Sequence, residues 1–252
     1  MAETNNRQCN SSSSHGKLSI IGIGPGRTGL LAQDARQAIE ESQVIIGYKT
    51  YVRLLGDLRK GKQVIAYGMG QEIERAKCAL QKASEGEKVC LVSSGDPGIY
   101  GTSGLVLELL NPVQTADSKE QTSRLNSLRQ KQDRFKIEII PGISAASACA
   151  SLLGAPLMHD FAVISLSDLL TERELIKKRI ELAAQGDFVI VFYNPKSKKR
   201  TAPFEAAWQI LMKYRSPQTP AGMVKNAYRG RQHVQITRLK DMPGSDIDMF
   251  TT

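Results

Sequence analysis

Residues Lys88–Gly101 read K-V-C-L-V-S-S-G-D-P-G-I-Y-G. The apolar run Val89–Val92 predicts a buried β-strand. It breaks into Ser93-Ser94-Gly95-Asp96-Pro97-Gly98, a dense cluster of turn formers. Thr102–Leu110 follows as a helix with a hydroxyl at its start. A buried strand feeding a glycine-rich loop and then a helix brings backbone N–H groups and one carboxylate to the carboxyl edge of a parallel sheet. That edge is where open α/β sheets bind ligands. A loop that only redirects the chain has the same composition, so the pattern alone leaves both readings open.

Upstream, residues 1–16 are polar, serine-rich and without periodicity, and predict a disordered tail. Leu18–Gly26 is a strand ending in G-I-G-P-G, with helical spacing at Leu30, Leu31, Ala35, Ala38 and Ile39. It is not a dinucleotide fingerprint. Arg27 stands at the third glycine position, Pro25 lacks the N–H a pyrophosphate would use, and the next strand (Gln43–Tyr48) ends without an acidic residue for a ribose. Gly47-Tyr48-Lys49-Thr50-Tyr51 closes that second strand, where its tyrosines and lysine could face a ligand or pack at a sheet edge. A short strand (Val64–Tyr67) and a helix (Glu72–Ala83) precede the opening stretch.

Downstream, the polar, glutamine-rich segment from about residue 111 to 136 predicts an exposed insertion. Ile137–Ile140 is a strand leading into a helix of small residues, Ser144–Leu153. Gly154-Ala155-Pro156 marks the expected boundary between an N-terminal α/β domain (17–154) and a C-terminal one (155–252). Strands are predicted at Phe161–Ser165, Phe188–Tyr193 and Ala221–Asn226, helices at Glu172–Ala184 and Pro203–Tyr214, and an antiparallel strand at His233–Leu239. Two βα-rich halves favour a binding site in the cleft between them.

Composition narrows the partners. No apolar run approaches the roughly 20 residues that span a bilayer, and no N-terminal segment resembles a secretory signal. Cys9, Cys78, Cys90 and Cys149 are widely spaced, which argues against zinc or a disulfide framework and for a cytoplasmic chain. A formal net charge of +9 points to an anionic partner: nucleic acid, membrane headgroups or an acidic small molecule. Much of the excess lies in Lys177-Lys178-Arg179, Lys196–Arg200 and Arg229-Gly230-Arg231, each of which also reads as solvated surface.

Five segments recur in order: G-I-G-P-G (Gly22–Gly26), S-S-G-D-P-G-I-Y-G (Ser93–Gly101), I-P-G-I-S-A (Ile140–Ala145), Y-N-P (Tyr193–Pro195) and V-K-N-A (Val224–Ala227). Together they resemble the tetrapyrrole methylases, the S-adenosylmethionine-dependent enzymes of corrin and sirohaem synthesis, over about residues 18–251. G-Y-K-T-Y (Gly47–Tyr51), S-L-S-D-L-L-T (Ser165–Thr171), Y-N-P-K-S-K-K-R (Tyr193–Arg200) and the ending D-M-F-T-T resemble the branch that methylates ring carbon 17 of precorrin-3B in cobalamin biosynthesis.

The resemblance implies a homodimer of two-domain α/β chains with the cofactor folded into the cleft. It puts Pro25 beside the cofactor, makes Ser94, Gly95 and Asp96 its main cradle, and packs Ile99 near it. Ser144 and Ala145 approach from their helix start, and Asn194 and Ala227 from the second domain. The implied chemistry is attack of an electron-rich ring carbon on a sulfonium methyl group, which positioning and desolvation can accelerate without a strong base. Asp96 is then expected to face a cation. The accompanying ring contraction needs proton handling, for which Tyr48, Lys49, Asp168, Tyr193 and His159 are candidates, although His159 fits a core position better. Tyr100, Lys196, Lys198, Lys199 and Arg200 are expected near the carboxylates of an anionic tetrapyrrole.

Two departures stand out. The 111–136 segment is longer than the family pattern. The chain also ends at Thr252, where the family continues into a short hydrophobic strand, which predicts an exposed sheet edge. A same-fold methylase acting on rRNA and a non-catalytic tetrapyrrole-binding protein are the competing readings. The first suits the charge, but aromatics make up only 6% of the chain, few for base stacking. The expectation is therefore S-adenosylmethionine as cofactor, no metal, no nucleic acid and no membrane.

Overall fold

The computed structural model describes residues 15–111, 135–169, 171–197 and 200–252. The predicted tail up to residue 14, most of the predicted insertion, and Cys9, Leu170, Lys198 and Lys199 lie outside the described residues. Strands β1 (Gly16–Gly22), β2 (Val44–Tyr48), β3 (Gln63–Tyr67), β4 (Lys88–Ser93) and β5 (Phe135–Ile140) form one parallel sheet in the order β3-β2-β4-β1-β5. The helices of this half are α1 (Gln33–Glu41), α2 (Lys49–Leu54), α3 (Glu72–Ser84), α4 (Thr102–Leu110) and α5 (Ala145–Leu152).

Alternation along the central strands explains why the sheet is sandwiched. Leu18 and Ile20 of β1 and Val89 and Leu91 of β4 pack with Ala76, Ala79, Leu80, Val106 and Leu110 of α3 and α4. Their neighbours Ile21, Cys90 and Val92 pack on the opposite face with Ala35, Ala38 and Ile39 of α1 and Val52 of α2. Period-2 side chains that are apolar on both faces give the continuous hydrophobic runs read from the sequence. Each fully buried aliphatic side chain contributes about 1.5–3 kcal/mol. The chain leaving β1 thus enters a helix on one face, and the chain leaving the adjacent β4 enters a helix on the other. A crevice opens between their carboxyl ends, the switch point at which such sheets take ligands.

Four local expectations are corrected. β1 begins at Gly16 rather than at Leu18, because Gly16 and Lys17 already pair with Phe135 and Lys136 of β5. β5 begins at Phe135, whose ring is buried, so the inserted segment ends earlier than expected. Lys49 does not extend β2; the chain turns directly into α2 there. Thr102 does not cap α4, and its buried Oγ1 has no partner among the described residues. Ser103 ties the helix start instead, its Oγ donating to the Pro97 carbonyl at 2.5 Å.

Beyond Gly154 the strands form two small sheets. β6 (Phe161–Ser165) and β7 (Val189–Tyr193) pair in parallel, while β8 (Pro220–Lys225) and β9 (His233–Arg238) pair antiparallel. Helices α6 (Arg173–Gln185) and α7 (Ala202–Tyr214) and a 3-10 turn at Leu239–Gly244 cover them, through Ile176, Ile180, Phe204, Leu211, Leu239 and Met242. Trp208 Nε1 donates to the Leu239 carbonyl at 2.8 Å and fastens α7 to that turn. The free edge of β8 is not bare. Val224 and Thr252 exchange two backbone hydrogen bonds at 3.0 Å, and Asn226 N–H donates to the Phe250 carbonyl at 3.1 Å. Residues 250–252 thus pair with the end of β8 only, at Val224 and Asn226, while Pro220 and Gly222 earlier in the strand are exposed.

Candidate active site

The loops leaving β1 and β4 are joined main chain to main chain. Gly24 N–H donates to the Gly95 carbonyl at 3.1 Å and Gly95 N–H to the Gly24 carbonyl at 2.8 Å. Both glycines have positive φ, +62° and +64°, which a side chain would strain. The loop after β5 presses on the same spot, since a Cβ at Gly142 would lie 2.3 Å from Gly95 O and 2.6 Å from Gly22 O. Asp96 locks this junction: Oδ1 accepts Gly98 N–H at 2.8 Å and Oδ2 accepts Gly142 N–H at 3.1 Å. Ser144 caps α5, its Oγ accepting Ser147 N–H at 3.2 Å.

Three side chains tie this floor to the later part of the chain. The Tyr100 hydroxyl donates to Val163 O at 2.9 Å and accepts Ser165 N–H at 3.1 Å along the outer edge of β6. Tyr193, at the end of β7, accepts Ala146 N–H at 2.9 Å from the first turn of α5. Arg229 Nε donates to the Pro25 carbonyl, and its Nη2 donates to Ser94 Oγ at 2.9 Å.

These elements enclose one pocket. Of the residues expected from sequence, Pro25, Ser94, Gly95, Asp96, Ile99 and Tyr100 line it from the β1 and β4 loops, with Ala145 from α5. Tyr193, Asn194 and Ala227 line it from the opposite side. Asn194 holds a φ of +54° and donates from Nδ2 to Ser165 Oγ at 3.0 Å. Ser144 is buried at the cap and is not on the wall.

The remaining candidates are engaged elsewhere. Asp168 pairs with Arg173 at 2.6 Å, and this partner holds its carboxyl below the usual range. Arg200 spends its guanidinium on the Leu166 and Asn194 carbonyls, at 2.5 and 2.7 Å, so it shapes the Tyr193-Asn194-Pro195 turn rather than reaching into the pocket. Lys196 lies 4.3 Å over the Phe204 ring. Tyr48 stacks edge-on against Tyr51 at 5.1 Å. Lys49 and His159 are exposed and off the wall, so His159 is not a core histidine.

Sequence reasoning missed Cys149, Arg229 and residues 249–252, all on the wall, and left Tyr51, also on the wall, open between ligand and sheet edge. In the sequence Arg229 belongs to the basic run Arg229-Gly230-Arg231, which also reads as solvated surface. Its position two residues after the V-K-N-A segment was the available signal. Burial without a counter-charge lowers its pKa, and burial likewise pushes the Tyr193 hydroxyl up and the Cys149 thiol up to about 11. Among the described residues no cluster of His, Cys, Asp or Glu is placed to hold a metal ion, and no helix is long and apolar enough to cross a membrane.

A parallel sheet whose switch-point loops form the floor of a pocket, closed by Tyr193 at the end of β7 and Arg229 after β8, defines the class. The family model for tetrapyrrole (corrin/porphyrin) methylases matches residues 17–116 and 121–243, and the chain belongs to this family. It is 52% identical over 237 residues to the cobalt-factor III methyltransferase of Priestia megaterium, a match taking in 94% of this chain but 41% of that protein. The chain therefore spans less than half of that relative. It is 45% identical over 232 residues to the probable cobalt-factor III C(17)-methyltransferase of Salmonella typhimurium, covering 92% of this chain and 89% of that one. The crystal structure of the methyltransferase CobJ superposes with a TM-score of 0.82 at 33% identity, covering 94% of this chain and 92% of that one.

Proposed function

We propose that the chain is an S-adenosylmethionine-dependent C-methyltransferase of cobalamin biosynthesis, acting at ring carbon 17 of precorrin-3B or its cobalt-containing counterpart with ring contraction. The observation that carries this reading is the convergence of the Ser94-Gly95-Asp96 loop with Pro25, Ala145, Asn194 and Ala227 on one pocket. The wall suits the cofactor chemically. Peptide groups and Asp96 can take the polar atoms of a nucleoside-bearing cation, and Pro25, Ile99 and Ala145 offer apolar contact. When bound, S-adenosylmethionine supplies an electrophilic methyl group. The residues of the chain orient it and exclude water, and the acceleration follows from holding the two reactants in line.

Tyr193 is the candidate for holding a proton during ring contraction, since it lies on the wall and burial raises the pKa of its hydroxyl. The division into domains at Gly154, with the pocket as the cleft between them, belongs to the same reading and is supported by the change from one large sheet to two small ones. So do the homodimer, which rests on the resemblance, and the cytoplasmic location, which rests on the spacing of the cysteines. Both relatives described above carry the name cobalt factor III, which favours an acceptor that already holds cobalt. Incubation with methyl-labelled S-adenosylmethionine and cobalt-factor III, precorrin-3B or ribosomal RNA tests the proposal. Label in the ring-contracted corrinoid supports it. Label in RNA, or cofactor binding without any transfer, overturns it.

A further inference from the structure

Among the described residues Arg229 pairs with no carboxylate. It is half-buried on the pocket wall, with Nε on the Pro25 carbonyl and Nη2 on Ser94 Oγ. Among the described residues its other donors meet no protein acceptor. The other charged side chain on that wall, Asp96, is committed through both oxygens to the Gly98 and Gly142 N–H groups. Withdrawing a guanidinium from water without a counter-ion is unfavourable, and the lowered pKa of Arg229 reflects that penalty. A planar fork with unspent donors on a pocket wall is suited to a carboxylate.

We propose that Arg229 receives the carboxylate of the amino-acid end of S-adenosylmethionine. The inference rests on the methyl-donor reading above. It favours the cofactor over a tetrapyrrole side chain because both present partners of Arg229, Pro25 and Ser94, belong to the loops that reading assigns to the cofactor. Charge supports the same orientation. A guanidinium beside the sulfonium would repel it, whereas at the carboxylate end it neutralises the ligand locally. Anchoring that end fixes which way the methyl group points.

The test compares S-adenosylhomocysteine with its decarboxylated analogue, S-adenosyl-3-thiopropylamine, by calorimetric titration. The wild-type chain binds S-adenosylhomocysteine more tightly. Arg229→Gln weakens S-adenosylhomocysteine by about 10- to 100-fold, the range of charge-assisted hydrogen bonds, and leaves the analogue within about twofold. Arg229→Lys, which keeps the charge and loses the fork, falls between and keeps the test open if the Gln variant does not fold. An equal loss for both ligands makes Arg229 a purely structural tie and overturns the inference. So does unchanged cofactor affinity with a raised KM for the tetrapyrrole, which would assign the guanidinium to a substrate carboxylate. A wild-type chain that binds neither nucleoside overturns the methyl-donor reading itself, whereas one that binds both equally overturns only the role of Arg229.

Discussion

Tyr100 and Tyr193 stand with ring centroids 5.3 Å apart and planes tilted by 53°, and each hydroxyl bonds to main chain that belongs to the other's half of the protein. Tyr100 comes from the β4 loop and grips the edge of β6; Tyr193 comes from β7 and grips the start of α5. The exchange ties the pocket's two sides together through side chain to main chain hydrogen bonds.

Tyr193→Phe leaves the Ala146 N–H without its partner. The expected loss is about 1–3 kcal/mol, the usual penalty for an orphaned polar group. For a chain of this size each kcal/mol lowers the Tm by about 2–4 °C. Tyr100→Phe removes two hydrogen bonds at an exposed site, where water replaces them, and has the smaller effect. The double variant, followed by thermal unfolding, loses less than the sum of the two, because either break loosens the same seam.

Asp96 and Gly142 form the second testable pair. Asp96→Ala frees the Gly98 and Gly142 N–H groups and is expected to weaken S-adenosylmethionine binding at least about tenfold, with Asp96→Asn losing less because one acceptor oxygen remains. Gly142→Ala drives a methyl group into the Gly95 and Gly22 carbonyls and is expected to abolish binding by parting the floor loops. Unchanged affinity in Asp96→Ala would refute the assignment of this loop.

Glu138 connects acid stability to sheet pairing. On β5 it accepts from Ser19 Oγ at 2.7 Å and pairs with Lys17 at 2.7 Å on the neighbouring β1. Burial pushes its carboxyl up, but the Lys17 ammonium and Ser19 hydroxyl outweigh that and hold it below the ordinary glutamate value. A lowered folded-state pKa stabilises fully above the unfolded value and is lost as pH falls through the folded one. Glu138→Gln is therefore expected to be less stable than wild type at pH 7 and to converge with it below about pH 4, read by urea unfolding. Parallel curves at both pH values would show that the pairing contributes nothing.

Arg75 predicts the opposite outcome. It is 5% exposed on α3, its Nε and Nη1 have no partner among the described residues, and Glu72 lies 3.9 Å from Nη2. Arg75→Met keeps the packing volume and removes a poorly compensated charge, so stability is expected to hold or to rise by about 1 kcal/mol or more. A loss above about 2 kcal/mol in denaturant unfolding would instead reveal an essential hydrogen-bonding role.

The parallel sheet and the floor of the pocket were legible in the sequence because they are made from local signals. Val89–Val92 gives the strand, and the glycines and Pro97 give the turn. The family expected from the ordered motifs is the one the chain belongs to. What was not legible depends on distant partners. Nothing in S-L-S-D-L-L-T shows that Asp168 is spent on Arg173, nor in K-S-K-K-R that Arg200 turns back onto the Asn194 carbonyl. Arg229 was obscured by composition, since its burial follows from Pro25 and Ser94, residues far away in the chain. The start of α2 at Lys49 was hidden because Tyr48 and Tyr51 suit a strand edge as well as a helix.

The paired glycines Gly24 and Gly95 make the pocket's floor out of peptide groups. Peptide donors and acceptors keep their chemistry whatever side chains surround them, and the absence of a Cβ leaves no handle for gradual change. What the pocket accepts can therefore be retuned only through side chains on its walls, such as Ile99, Met249 and Phe250, because the floor offers none to change.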